Sequence, residues 1–198
     1  MANPYPWCIM SEHHRDSVAR LLSEWKRELP DLDPAPVGVQ GRIVRLSAHF
    51  LRRSENWLRP LDLSWEAFSL IVTLRRSGKP YEMRPTDILR ESLLTSGAIT
   101  NRIDRVEQMG LVERRPDKDD RRSYVIRLTP AGKRLADKAI GQHFAAIDDL
   151  LGDLSSAERM QLAGLLSKLL GSLEDKSRKR QNTAAKVQSG MSRRMLKA

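Results

Sequence analysis

In this 198-residue chain, the side chains best suited to chemistry are an amide, a hydroxyl and a guanidinium in the run SGAITNRIDRVEQMG. The amide of Asn101 both donates and accepts, as the edge of an adenine requires, and Thr100 and Arg105 flank it with groups that suit a thymine methyl, a guanine or a phosphate. Ser96, near the start of the same segment with the free N–H groups of a helix N-terminus, suits a phosphate. Further along, PDKDDRR carries Arg121 and Arg122. On a thin hairpin, such guanidinium groups fit the narrow, electronegative minor groove of A·T-rich DNA. Asp120 beside them is placed to orient one guanidinium by paired hydrogen bonds. These are contacts to a duplex, not steps of a covalent reaction.

Other reactive types are scarce and badly spaced. No phosphate-cradling glycine loop or nucleophile motif occurs, so an enzyme is not expected. His13 and His14 are adjacent, and His49 and His143 are isolated, so none has the spacing of a metal site. Cys8 is the one thiol, with no basic helix terminus nearby to activate it, and a passive role is expected. No cofactor is implied.

The elements that must carry the first group of residues follow from periodicity. Ile99, Ile103 and Val106 recur at helical spacing and face a core, which turns Gly97, Asn101, Asp104 and Gln108 outward. Gly110 fits the end of that helix, Val112 to Arg115 reads as a strand, and Tyr124, Ile126 and Leu128 alternate as a second. PDKDDRR is then the hairpin tip. Ahead of them, Ser64 caps a helix reaching Arg76, Pro80 and Tyr81 begin a short extended piece, and Pro85 suits the first turn of a short helix from Arg84 to Leu93. The order is helix-turn-helix followed by a wing.

Outside this block the chain is helical. An amphipathic helix is expected from Ser11 to Leu29, a proline-rich connector PDLDPAP after it, and a longer helix from Val37 to Leu58. Pro130 opens another, along which Leu135, Ala139, Phe144, Ile147, Leu150 and Leu151 continue for several turns, and Ser155 with Glu158 forms a capping box for a last helix. That helix carries Leu162, Leu165, Leu166, Leu169, Leu170 and Leu173, more leucine than one small monomer needs. The stripe is either leucine-rich core or a face shared with a second copy, and the excess favours the second. The fold class expected is mainly α with a small β wing. Three regions follow: an N-terminal extension (1–36), a winged helix-turn-helix domain with dimerisation helices (37–174) and a basic, disordered tail (175–198).

The net charge of +10 is concentrated in that tail, which holds eight of the 35 basic residues and none of the 25 acidic ones after Asp175. The rest is nearly neutral, yet residues 84–134 hold twelve basic against eight acidic groups, so the positive side coincides with the winged segment. No apolar stretch has the length of a membrane span, and the start lacks a signal-peptide pattern, so a cytoplasmic, nucleoid-associated protein with no membrane partner is expected.

From Val37 to Leu173 the chain resembles the MarR family of bacterial transcription regulators, most specifically in SGAITNRIDRVEQMGLVERR and DDRRSYVIRLTPAG. The resemblance implies a homodimer of triangular outline whose first and last helices interlock while two winged lobes grip a palindromic operator on double-stranded DNA. Arg122 matches the family's wing arginine and Asp120 its aspartate partner. Binding would normally repress transcription until a small ligand or oxidant alters the spacing of the lobes. The helix before the linker resembles that of the subfamily responsive to urate and related small aromatic anions. Trp25 matches its tryptophan, and Arg102 matches an arginine used in the ligand response; the alternative for Trp25 is plain packing on an amphipathic helix. Where the subfamily has an acidic residue this chain has Ser69, which favours a different phenolic or anionic effector. A rival reading is a helical adaptor whose basic tail recruits acidic partners.

Overall fold

The computed structural model describes residues 16–91, 99–120 and 122–195. Helix α1 (Ser17–Glu28) starts where the Asp16 carboxylate accepts the Ala19 N–H at 2.7 Å. It packs Val18 and Leu22 onto α2 (Ala35–Leu58). The approach depends on glycine: a Cβ at Gly38 would stand 2.9 Å from Leu22 Cδ1, and one at Gly41 would stand 3.1 Å from Val18 Cγ1. Arg42 of α2 clamps the same corner, its Nε donating to Asp16 Oδ2 at 2.8 Å.

After a single 3-10 turn (Arg59–Leu61), α3 (Trp65–Arg76) is capped by Ser64 Oγ, which accepts from the Ala67 N–H. Helix α3 is the centre of the winged lobe: Phe68, Leu70, Ile71 and Leu74 are buried against Ile88, Ile103, Val106, Val112, Ile126 and Leu128. The extended piece after Pro80 is strand β1 (Glu82–Met83), and it leads into α4 (Pro85–Glu91). Helix α5 (Ile99–Gln108) ends in paired bonds from the Gly110 N–H to the Glu107 carbonyl and from the Leu111 N–H to the Val106 carbonyl. Gly110 has φ +71°, the left-handed turn this end requires.

Strands β2 (Val112–Pro116) and β3 (Tyr124–Leu128) pair antiparallel, Val112 opposite Leu128 and Pro116 opposite Tyr124. Strand β1 joins the far edge of β3, so the wing rests on a three-stranded sheet of order β1-β3-β2. Tyr81 fixes the approach to β1. Arg75 of α3 lies 5.0 Å from its ring centre and Lys133 lies 6.0 Å away, and both cations pair with Asp137.

Helix α6 (Pro130–Leu150) opens with Thr129 Oγ1 accepting the Gly132 N–H. Its buried stripe is Gly132, Ala136 and Ala139, and it ends at His143, whose ring lies 5.1 Å from Phe68 and 5.3 Å from Trp57. The larger Phe144 next to it is 71% exposed. The small residues set which side of α6 faces α3, and that side reaches position 143 one helical step before the phenylalanine.

The chain forms two compact units, residues 1–146 and 147–198. In the second, the capping box forms as expected: the Ser155 N–H donates to Glu158 Oε2 at 2.8 Å and the Glu158 N–H to Ser155 Oγ at 3.4 Å. Helix α7 (Ser156–Met195) runs through the basic stretch that composition set apart as a disordered tail. Lys, Arg, Gln, Ala and Met sustain helix by propensity even where they offer no apolar stripe. Along its first part, Leu162, Leu165, Leu166, Leu169, Leu170 and Leu173 are all exposed, as are Val39, Val44 and Leu46 of α2. Among the described residues, no helix is long and apolar enough to cross a membrane.

Candidate nucleic-acid interface

Helix α5 is two-sided. Ile103 and Val106 are essentially fully buried, whereas Thr100, Asn101 and Arg105 are exposed. The anchor and the hydrogen-bonding face are thus fixed by the same ten residues, and the polar groups stand ready for a ligand outside the lobe. Asp104 departs from the expected outward position. Its carboxylate and that of Glu107 both pair with the guanidinium of Arg114 on β2, and Glu107 Oε1 also accepts the Arg114 backbone N–H at 3.0 Å. Two acids one turn apart on α5 therefore bind the helix to the sheet, and they hold Arg114 as a protonated cation.

At the wing tip, Asp120 does not hold a guanidinium among the described residues. Its Oδ1 instead accepts the backbone N–H of Arg122 at 3.0 Å, closing the turn. The cause is local: a carboxylate two residues before an N–H reaches that donor more easily than it reaches a flexible side chain, and a bond from Asp120 to the Arg121 guanidinium lies outside the described residues. Arg122 itself is exposed, at the point of the wing. Ser96 and Arg121 lie outside the described residues.

A residue that sequence reasoning missed determines the shape of the wing. Asp117 is buried at the tip, 6% exposed. It accepts from Arg84 Nε at 2.5 Å, from the Asp119 N–H at 2.9 Å and from Ser123 Oγ at 3.3 Å. The Arg84 guanidinium is the main cause that lowers its carboxyl to about 2, reinforced by the Asp119 N–H. Arg84 stands at the start of α4, so this ion pair ties the wing to the first helix of the helix-turn-helix. A Pro-Asp turn signal was present in the sequence; the distant partner was not.

The geometry is that of a winged helix presenting one polar helix face and one cationic hairpin. Over 152 residues, 77% of this chain and 92% of the relative, the sequence is 34% identical to the HTH-type transcriptional regulator PecS of Dickeya dadantii. The chain belongs to the MarR family. A MarR family profile matches residues 63–124, from just before α3 to the start of β3. Two solved structures share the fold. One is a mutant of Escherichia coli MarR complexed with operator DNA: TM-score 0.59, 24% identity, 74% of this chain and 97% of that chain. The other is an organohalide-sensing transcriptional regulator in its 2,4-dichlorophenol-bound form: TM-score 0.63, 20% identity, 72% and 82%. As a MarR-family member, the chain is a DNA-binding regulator of transcription.

The residues matched to the ligand response lie on three separate helices. Trp25 on α1 is half exposed, Ser69 on α3 is buried in the lobe, and Arg102 on α5 is half-buried. A cavity of about 400 Å³ lies elsewhere, lined by Thr73, Arg76, Ser77, Met83, Asp87, Arg90 and Glu91, and it includes none of the three. Its charged walls are largely paired among themselves, Arg76 with Glu91 and Arg90 with Asp87.

Proposed function

We propose that the chain is a homodimeric repressor of a palindromic operator, each protomer laying α5 in the major groove and its wing in the adjacent minor groove. Asn101 and Arg105 read base edges, Thr100 contacts a base methyl or the backbone, Ser96 a phosphate, and Arg121 and Arg122 the minor groove. The observation that carries this is the division of α5 into a fully buried side and an exposed amide, hydroxyl and guanidinium. The Asp117 anchor supports it, because a wing tied to α4 moves with the helix it must accompany. The exposed leucines of α7 support the second copy, since six large apolar groups in contact with water would otherwise go uncompensated.

In this reading the repression is relieved by a small aromatic or anionic ligand. Trp25, Ser69 and Arg102 are the residues proposed to take it, by their match to the urate-responsive subfamily. Structural relatives are described with such molecules, one with 2,4-dichlorophenol and another regulated by 6-hydroxynicotinic acid. The protein acts as a regulator and not as an enzyme.

The test is a footprint on the DNA flanking its own gene, repeated with a panel of phenols and aromatic acids. A symmetric protected site that one compound reverses is the expected result. Protection that no duplex sequence confers, or that only the basic end of α7 provides, would favour the adaptor reading.

A further inference from the structure

Helix α7 continues for twenty residues beyond Asp175 as one unbroken helix to Met195, a length of roughly 30 Å at the helical rise. This stretch contains no Asp or Glu. Its basic residues are not scattered. At about 100° per residue, the positions of Lys176, Lys179, Arg180, Lys186, Arg193 and Arg194 fall within an arc of roughly 140°, and only Arg178 falls outside it. The positions opposite hold Gln181, Ala184, Ala185, Gln188 and Ser192. A helix that lies on a membrane needs an apolar face there, and this one has a small, polar set.

We infer that this basic face of the α7 extension is a second, sequence-independent DNA-binding surface, which lies along the phosphate backbone of duplex outside the segment read by α5 and the wing. DNA presents one negative charge for about every 1.7 Å of axis, so a straight helix of this length spans many phosphates. Neutralising each one releases counterions. Because the winged lobe of the same molecule already holds a duplex, the extension meets the flanking DNA at high effective concentration and needs no intrinsic specificity. An acidic protein partner would have to supply comparable charge density without that tethering.

The test measures the salt dependence of binding by the full chain on two operator duplexes, one limited to the footprint and one extended by about 15 base pairs on each side. A variant with all six face residues changed to Gln keeps helix propensity, which circular dichroism checks. The expected result is a steeper slope on the long duplex for the native chain. The six-fold variant should lose that excess, at least about 3 in slope per protomer, with the short-duplex slope almost unchanged. Equal slopes on the two duplexes for the native chain, or an excess that survives in the variant, would overturn the inference. A third protein, with the same six cations dispersed evenly around the helix, should lose most of the excess; if it keeps all of it, net charge and not the face is responsible. The length-dependent slope is measurable on any long duplex, so failure to find an operator and failure of this surface give different results.

Discussion

Arg84 and Asp117 are 33 residues apart in sequence, and the Arg84 Nε donates to Asp117 Oδ2 at 2.5 Å, joining the residue that precedes α4 to the tip of the wing. A second tie runs from Asp104 and Glu107 of α5 to Arg114 of β2. With the Arg84–Asp117 pair in place, the wing tip is tied directly to the start of the helix-turn-helix.

That pair gives a prediction about pH. Asp117 is lowered from 3.8 to about 2, so its contribution to the folded wing is complete above the ordinary carboxylate range and is lost as the pH falls from about 4 through about 2. Arg84 stays charged throughout. Amide resonances of Asp119 and Ser123, which bond to or beside this carboxylate, should titrate with a midpoint near 2. In Arg84→Ala the midpoint should rise toward the ordinary value, without reaching it while the Asp119 N–H still donates. A native midpoint close to 4 would mean that the pair does not form in solution.

Arg122 is exposed at the wing point, and its backbone N–H is held by Asp120. Arg122→Ala should therefore leave the fold intact and weaken operator binding through lost phosphate and groove contact. The slope of log affinity against log salt should flatten by about 1 per protomer, roughly 2 per dimer. A titration over a range of salt concentrations that gives the native slope would rule out the contact.

Asn101 differs from Arg122 in kind, because its exposed amide lies on the helix face opposite Ile103 and Val106. Asn101→Ala should cost about 1–3 kcal/mol per half-site on the native operator and relax preference at one base pair. Competition binding against all single-base variants of the half-site checks this. A loss of the same size on every sequence would assign the residue to the backbone instead.

Much of this lobe was legible in the sequence, for identifiable reasons. The Ser64 cap, the Gly110 turn and the alternation of Tyr124, Ile126 and Leu128 are local signals, and each element begins or ends where its signal stands. What escaped was pairing over distance. Nothing near Asp117 announces Arg84, and nothing near Asp104 announces Arg114; both pairs exist because the sheet carries β2 and the wing back across the helices. In α6, the apolar residues gave no single buried face, whereas the stripe of Gly132, Ala136 and Ala139 determines the buried side and delivers His143 in place of the larger Phe144. Close backbone approach overrode side-chain hydrophobicity there.

Gly132 makes that approach measurable. A Cβ at this position would lie 1.9 Å from the carbonyl oxygen of Leu111, which is backbone and cannot swing away. Leu111 also bonds through the same oxygen to the Thr129 N–H, so moving it disturbs the junction of α5, β2 and α6 together. Gly132→Ala should cost at least about 1–3 kcal/mol and lower Tm by several degrees. Gly141→Ala is the control: it has open space at its Cβ, and should be neutral or stabilising by up to about 1 kcal/mol. If both variants melt at the same temperature, the packing of α6 on Leu111 is not as close as described.

The leucine stripe of α7 provides the last prediction, and it bears on assembly. Leu166 is 43% exposed and Leu170 is 57% exposed, one turn apart on a helix whose capping box fixes its start. If a second copy covers this stripe, the double substitution Leu166→Glu and Leu170→Glu places two charges per protomer in an apolar interface, where neither finds a partner. Light scattering should then show the mass halved from dimer to monomer, and operator affinity should fall steeply because each half-site must be bound alone. The winged lobe, whose core lies in α3, α5 and the sheet, should stay folded by circular dichroism. If the substitutions face water, the mass and the affinity will both stay at the native values, and the dimer must be built from other surfaces.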